Sequence, residues 1–212
     1  MEAVIFDMDG VLIDSEPIHR VVEESLFREH RIPVTPDEHD GYLGTSSIDM
    51  FRAIAAGHPE PWKNAGLTVE EWIALEQERY GRELYTGRVP FVPGALDTVR
   101  TLAREGWKIA VASSAPRRQI EFVVERGGIS GFVDCLRGAE DVRRSKPSPD
   151  LFLAAADCLG VEPSRCWVVE DSPNGVAAAK AAGMKWIEFV GITMDEIVPV
   201  ISPTLKSNPA PL

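Results

Sequence analysis

Basic side chains are in short supply in this sequence. Lysine and arginine together number 22 against 33 aspartates and glutamates, for a net charge of −11 with histidine neutral. Such a balance repels polyphosphates at long range and lacks the cationic footprint of a nucleic-acid binder, which excludes nucleic acid as a partner. An anionic substrate would then need a local cation or a metal inside its site. Cysteine is scarce too: Cys135, Cys158 and Cys166 have no CxxC or other metal-ligand spacing, and an odd count makes a poor disulfide framework. They are expected to be small packed thiols in a reducing cytoplasm. No stretch approaches the roughly 20 apolar residues of a membrane span. Met1 leads almost directly into a short apolar run, without the basic and apolar regions of a secretory signal. A soluble, cytoplasmic protein without membrane partners is expected.

Within 212 residues, 44% hydrophobic and 26% charged, there is room for one α/β core with a small insertion but not for two full enzymes. Short apolar runs occur at 3–6, 108–112, 165–169 and 185–190, with a weaker one at 133–136, and read as strands buried on both faces. Between them lie helical patterns at 95–104, 117–126, 150–159 and 175–182, several stopped by Gly106, Gly127, Gly160 and Gly183. This βα alternation predicts a Rossmann-like parallel sheet with helices on both faces, binding ligands outside the carboxyl ends of its strands.

Residues 17–88 break the alternation. They offer helical patterns at 18–30, 46–56 and 69–84 and no convincing strand, so they are read as an inserted α-helical cap. The core is then 1–16 plus 89–212, with hinges where the chain leaves and returns near Pro90 and Pro93. The stretch from about 200 to 212, with Pro199 just before it and Pro203, Pro209 and Pro211 within it, is expected to be a poorly packed tail.

Chemistry-bearing residues gather at the predicted strand ends. Asp7-Met8-Asp9-Gly10 sets two carboxylates two residues apart where the first strand opens into a loop, and both can face one site. Such a pair suits a nucleophile plus an acid and base, although an Asp-rich turn capping a helix has the same composition. Gly10 permits a turn costly for other residues. Ser113 and Ser114 follow the second strand and offer hydroxyl and N–H groups to phosphate oxygens, or a helix cap. Lys146 lies in Ser-Lys-Pro-Ser-Pro, where two prolines limit where its ammonium points. Glu170-Asp171 follows the apolar run at 165–169. Adjacent carboxylates there repel unless a cation intervenes, and with Asp7 and the backbone carbonyl of Asp9 they form a hard-oxygen set suited to Mg²⁺.

The order Asp-x-Asp-Gly, Ser, Lys-Pro, Glu-Asp, each beside a strand end, resembles the haloacid dehalogenase superfamily. With Asp14-Ser15-Glu16-Pro17 it is similar to the subgroup with a helical cap, which holds β-phosphoglucomutase-like proteins and sugar-phosphate phosphatases. The resemblance spans residues 1 to about 191. It implies that Asp7 attacks phosphorus to form an aspartyl-phosphate, that Asp9 is acid and then base, that Ser113 and Lys146 hold the phosphoryl group, and that Mg²⁺ is the cofactor. The substrate would be a small phosphorylated metabolite and the enzyme a monomer or weak homodimer. In the mutases a cap arginine follows a Gly-Val-Ser-like segment. The matching stretch Gly44-Thr45-Ser46-Ser47 has Ser47 in its place, which favours a phosphatase over a phosphomutase. His19 matches a cap-hinge histidine that steadies Asp9, and Gly44, Thr45, Ser47 and Arg117 are further candidates for substrate contacts. A non-catalytic binding protein on the same scaffold would be expected to lack Asp7, Asp9, Lys146 or Asp171, and all four are present.

Overall fold

The computed structural model describes residues 2–42 and 47–203. Its centre is β1 (Ala3–Phe6), four apolar residues with no exposed surface. Strand β2 (Lys108–Ala112) lies on one side of it and β4 (Cys166–Glu170) on the other, with β3 (Cys135–Arg137) and β5 (Lys185–Glu188) at the edges. All pairings are parallel, in the order β3-β2-β1-β4-β5. Phe6 is level with both Val111 and Val169, so the three central strands end within one residue of one another. The order reverses between β1 and β4, and the crevice at such a switch point is where this architecture binds ligands.

The chain forms two compact units, Met1–Ser15 with Val89–Leu212, and Glu16–Arg88. The second unit is helical: α1 (Glu16–Glu29), α2 (Pro36–Asp40), α3 (Ser47–Gly57), α4 (Pro59–Ala65) and α5 (Val69–Thr86). Helix α5 starts at a capping box between Thr68 and Glu71 and turns Trp72, Glu76 and Tyr80, four residues apart, inward. Trp72 stacks on Trp62 and packs with Phe27 and Phe51 in this unit's own apolar core. Two buried carboxylates are each paired with a histidine: Glu76 with His19 at 2.6 Å and Glu23 with His39 at 2.7 Å.

The first unit carries α6 (Ala95–Arg104), α7 (Arg117–Arg126), α8 (Asp150–Leu159), α9 (Pro173–Ala181) and α10 (Met194–Ile201) around the sheet. Alternate strand residues Ala3, Ile5, Ala110 and Ala112 face Leu151, Phe152, Ala155, Ala178 and Ala179 of α8 and α9. Small side chains on both surfaces let helix and sheet approach closely. The fully buried Phe152 contributes about 2–3 kcal/mol there. The loop after β1 is tied to the returning chain by Asp14 N–H to the Pro90 carbonyl, 2.8 Å, and Val92 N–H to the Leu12 carbonyl, 3.0 Å.

Two expectations are corrected. Cys135 and Cys158 are not separate packed thiols but a disulfide, with Cα atoms 6.3 Å apart, and only Cys166 is a free, buried thiol. Their separation of 23 residues gave no motif, and they meet because α8 packs back across β3. The proline-marked end is not loose as far as Ile201: α10 contains Pro199, yet Met194, Ile197 and Ile201 are buried and the helix packs on α6. Apolar burial outweighs the one helical hydrogen bond that proline removes. Residues 204–212 lie outside the described residues. No helix among the described residues is long and apolar enough to cross a membrane.

Candidate functional site

The crevice between β1 and β4 is lined by residues set there by register. Asp7 follows the last residue of β1, and its N–H donates to the Val169 carbonyl at 3.0 Å, extending the ladder by one step. Glu170 closes β4 and Asp171 follows it. Ser113 follows β2, and its N–H donates to the Arg137 carbonyl of β3 at 3.1 Å. Lys146 lies in the connection from β3 to α8. Four separate segments thus converge on one end of the sheet.

The strand's alternation decides which way the carboxylates face. Met8 is fully buried, while Asp7 and Asp9 on either side lie on the other side of the backbone. The loop then closes tightly, with the N–H groups of Leu12 and Ile13 both donating to the Met8 carbonyl and Gly10 N–H donating to the Ile13 carbonyl. Gly10 has φ +73, and a Cβ there would fall 1.8 Å from Asp171 Oδ2. The glycine therefore serves a close approach between the β1 loop and Asp171 as well as a turn.

Lys146 joins the two sides. Its Nζ lies 2.9 Å from Asp7 Oδ1 and donates to Glu170 Oε1 at 2.5 Å, and its side chain runs over the Phe152 ring, 5.1 Å from the centroid. The contact with Asp7 is a buried ion pair. Glu170 is fully buried, and its other oxygen, Oε2, accepts from Ser172 N–H at 2.6 Å. Ser113 Oγ accepts from Ala115 N–H at 3.0 Å and reaches Asp9 Oδ2 at 3.4 Å.

Asp7 and Asp171 share this space with Asp9, Glu170 and the Lys146 ammonium, and the acidities of Asp7 and Asp171 reflect it. Burial pushes Asp7 up to about 8; Glu170 and Asp9 add to the rise, and Lys146 opposes it. Asp171 is pushed up to about 6, by burial first and then by Glu170. Burial alone would pull Lys146 down, but Asp7 and Glu170 outweigh it and hold its pKa above the ordinary value. Lys146 is thus a cation held among excess negative charge.

Oxygen atoms of Asp7, Glu170 and Asp171 lie within 4.8 Å of one another. An all-oxygen donor set and the burial that, with neighbouring carboxylates, raises Asp7 and Asp171 together fit a hard divalent cation such as Mg²⁺. Both oxygens of Glu170 already accept hydrogen bonds, from Lys146 and Ser172, which leaves Asp7 and Asp171 the freer ligands.

The remaining sequence candidates are described by their own surroundings. Ser114 is exposed, and α7 is capped by Pro116 without a side-chain bond, so neither serine caps that helix. The Arg117 guanidinium pairs with Asp141, at 2.6 and 2.8 Å, rather than presenting a free charge. His19 lies in the helical unit, donating from Nδ1 to Glu76 and stacked on Tyr80. Ser47 opens α3, half-buried, and Gly44 and Thr45 lie outside the described residues. Gly175 was missed as a site residue: a Cβ there would fall 1.7 Å from Glu170 Oε1, so it makes the space that the carboxylate fills. The only signal for it was a glycine in the first turn after Ser172-Pro173.

Known proteins match this chain in sequence and in fold. A family model described as haloacid dehalogenase-like hydrolase matches residues 1–183. The chloroplastic protein Suppressor of Quenching 1 of Arabidopsis thaliana is 35% identical over 199 residues, 93% of this chain but only 18% of its own length. A phosphorylated carbohydrates phosphatase of Thermotoga maritima is 31% identical over 189 residues, covering 88% of this chain and 84% of its own. The crystal structure of a family hydrolase from Deinococcus radiodurans, with bound phosphate and sodium, matches with a TM-score of 0.74 at 26% identity over 99% of both chains. With its first 183 residues matched and the strand-end residues in place, the chain belongs to the haloacid dehalogenase-like hydrolases.

Proposed function

We propose that this protein is a Mg²⁺-dependent phosphatase that hydrolyses a small phosphorylated metabolite, a sugar phosphate by class, through a phosphorylated Asp7. The observation that carries the reading is the Asp7 carboxylate, buried beside Lys146 at 2.9 Å and within 4.8 Å of Glu170 and Asp171. A lone buried carboxylate would stay protonated and inert. One flanked by a fixed ammonium and a cation-binding pair is prepared to be an anionic nucleophile. The Thermotoga relative's phosphorylated-carbohydrate activity supports the substrate class.

In this reading Asp7, the Asp9 carbonyl and Asp171 would hold Mg²⁺, which would supply positive charge against the carboxylate and the phosphate. An Asp7 oxygen attacks phosphorus, the bond from phosphorus to the ester oxygen breaks, and Asp9 gives its proton to that oxygen, releasing the alcohol. Asp9 then takes a proton from water. The resulting hydroxide attacks the phosphorus of the acyl phosphate, freeing Asp7 and inorganic phosphate. Lys146 neutralises charge on Asp7 and the transferred group, Ser113 donates to a phosphoryl oxygen, and Glu170 holds Lys146 in place.

Phosphate release from a panel of sugar phosphates, with Mg²⁺ and with EDTA, tests the proposal. Mg²⁺-dependent turnover of at least one is expected. A D7N variant that hydrolyses p-nitrophenyl phosphate at the parent rate would overturn the mechanism.

A further inference from the structure

The disulfide between Cys135 and Cys158 joins the first residue of β3 to the last turn of α8. The chain between these residues carries Lys146, whose ammonium contacts Asp7 and Glu170. The bond therefore closes the loop that delivers the site's cation.

Besides that bond, the loop is held by Lys146 itself, by the short β3 ladder and by Ala139 N–H donating to the Ala115 carbonyl at 3.0 Å. Strand β3 is three residues long and pairs with β2 at one edge of the sheet. After Gly138, residues 139–141, 143–145 and 147 are exposed, and Val142 is a partly buried apolar contact with the core. Apart from the buried Lys146 pairs, the loop's side-chain ties face solvent, including Arg117 to Asp141 and Arg144 to Asp150. Segments held this way open at low free-energy cost. Helix α8 is anchored independently by Leu151, Phe152, Ala155 and Ala156, all buried, so loosening falls on β3 and the loop. The bond is also reachable, because Cys158 is on the exposed side of α8 whereas Cys135 is 5% exposed.

We propose that Cys135–Cys158 is a reducible clasp: an external thiol or dithiol opens it, and opening disorders the segment that positions Lys146. A thiolate attacks Cys158 Sγ, the sulfur–sulfur bond breaks, and its electron pair leaves on Cys135 Sγ, which takes up a proton. A second thiol displaces Cys158 from the mixed disulfide. The pair thus gains two electrons and two protons, and the reductant becomes the oxidised disulfide. Closing the loop restricts the chain when oxidised, and reduction returns that freedom to β3 and the loop. The consequence for turnover rests on the phosphatase reading; the change in order does not.

The test compares the full chain after air oxidation, after treatment with dithiothreitol, and as C158S. Thiol titration in denaturant is expected to find one thiol in the oxidised chain and three after reduction. Reduction and C158S are each expected to speed hydrogen exchange across 136–149 by roughly tenfold or more, leave α5 unchanged, and lower the melting temperature by about 5–10 °C. Mg²⁺-dependent turnover of p-nitrophenyl phosphate should fall several-fold in both, and C158S should no longer respond to dithiothreitol. Three thiols in the oxidised chain, or exchange across 136–149 that reduction does not change, would overturn the clasp. Changed exchange with no turnover in any form would sustain the clasp and sink the phosphatase reading.

Discussion

Gly175 and Glu170 are packed so closely that a methyl group on the glycine would lie 1.7 Å from Glu170 Oε1. That oxygen also accepts from Lys146 at 2.5 Å, so a backbone position in the first turn of α9 governs where the site's ammonium stands. Gly175→Ala has to push the buried carboxylate aside. Overpacking of this kind costs about 1–3 kcal/mol, and the displaced Glu170 should draw Lys146 away from Asp7. Thermal melting with turnover of p-nitrophenyl phosphate checks this: both the melting temperature and kcat are expected to fall. An unchanged kcat would mean that Glu170 does not position Lys146.

Asp7→Asn separates the charge of Asp7 from its shape. Turnover should drop by roughly 10⁴-fold or more, because an amide cannot form the acyl phosphate. Stability should not fall with it. Burial raises the pKa of Asp7 to about 8, which means that its charged form strains the fold. In EDTA at pH 8 the variant is expected to melt no lower than the parent.

The same burial predicts how stability without metal varies with pH. The pKa values of Asp7 and Asp171 rise from an ordinary 3.8 to about 8 and about 6, so across that interval the folded chain binds more protons than the unfolded chain. Their stabilising contribution is full below about pH 4 and is lost as pH rises through about 6 and then 8. Mg²⁺ binds the deprotonated carboxylates and should cancel the loss. Melting curves from pH 5 to 8.5, with EDTA and with Mg²⁺, are expected to diverge increasingly toward the alkaline end. Parallel curves would count against a metal site at Asp7 and Asp171.

Lys146→Met leaves Asp7 and Glu170 buried without their shared cation. Breaking a buried ion pair from one side costs about 3–5 kcal/mol. Urea unfolding at neutral pH should show a loss of that order, reduced when Glu170→Gln is added. Mg²⁺-dependent turnover should be lost in both variants.

Much of this was legible from residue order. The apolar spacing at 95–104, 117–126 and 150–159 coincides with α6, α7 and α8, because each helix buries one face against a sheet and ends where its period stops. The short helices α2 and α4 were not, since five and seven residues are too few to establish a period. Pro199 hid α10 because a breaker outweighs local propensity, whereas contact with α6 decides the outcome.

The sequence by itself determined the parallel βα core and the identity of the strand-end residues Asp7, Asp9, Ser113, Lys146, Glu170 and Asp171, because buried strands and the polar residues that close them leave a local pattern. Tertiary structure alone decided which of those groups meet. Strand order brought β1 beside β4, so that Asp7 faces Glu170 across 163 residues of chain. The same packing set Lys146 between them, and Gly10 and Gly175 against the carboxylates they accommodate. It also joined Cys135 to Cys158, a bond no spacing predicted. Contacts between distant segments depend on how helices and strands pack, and that is a property of the whole chain.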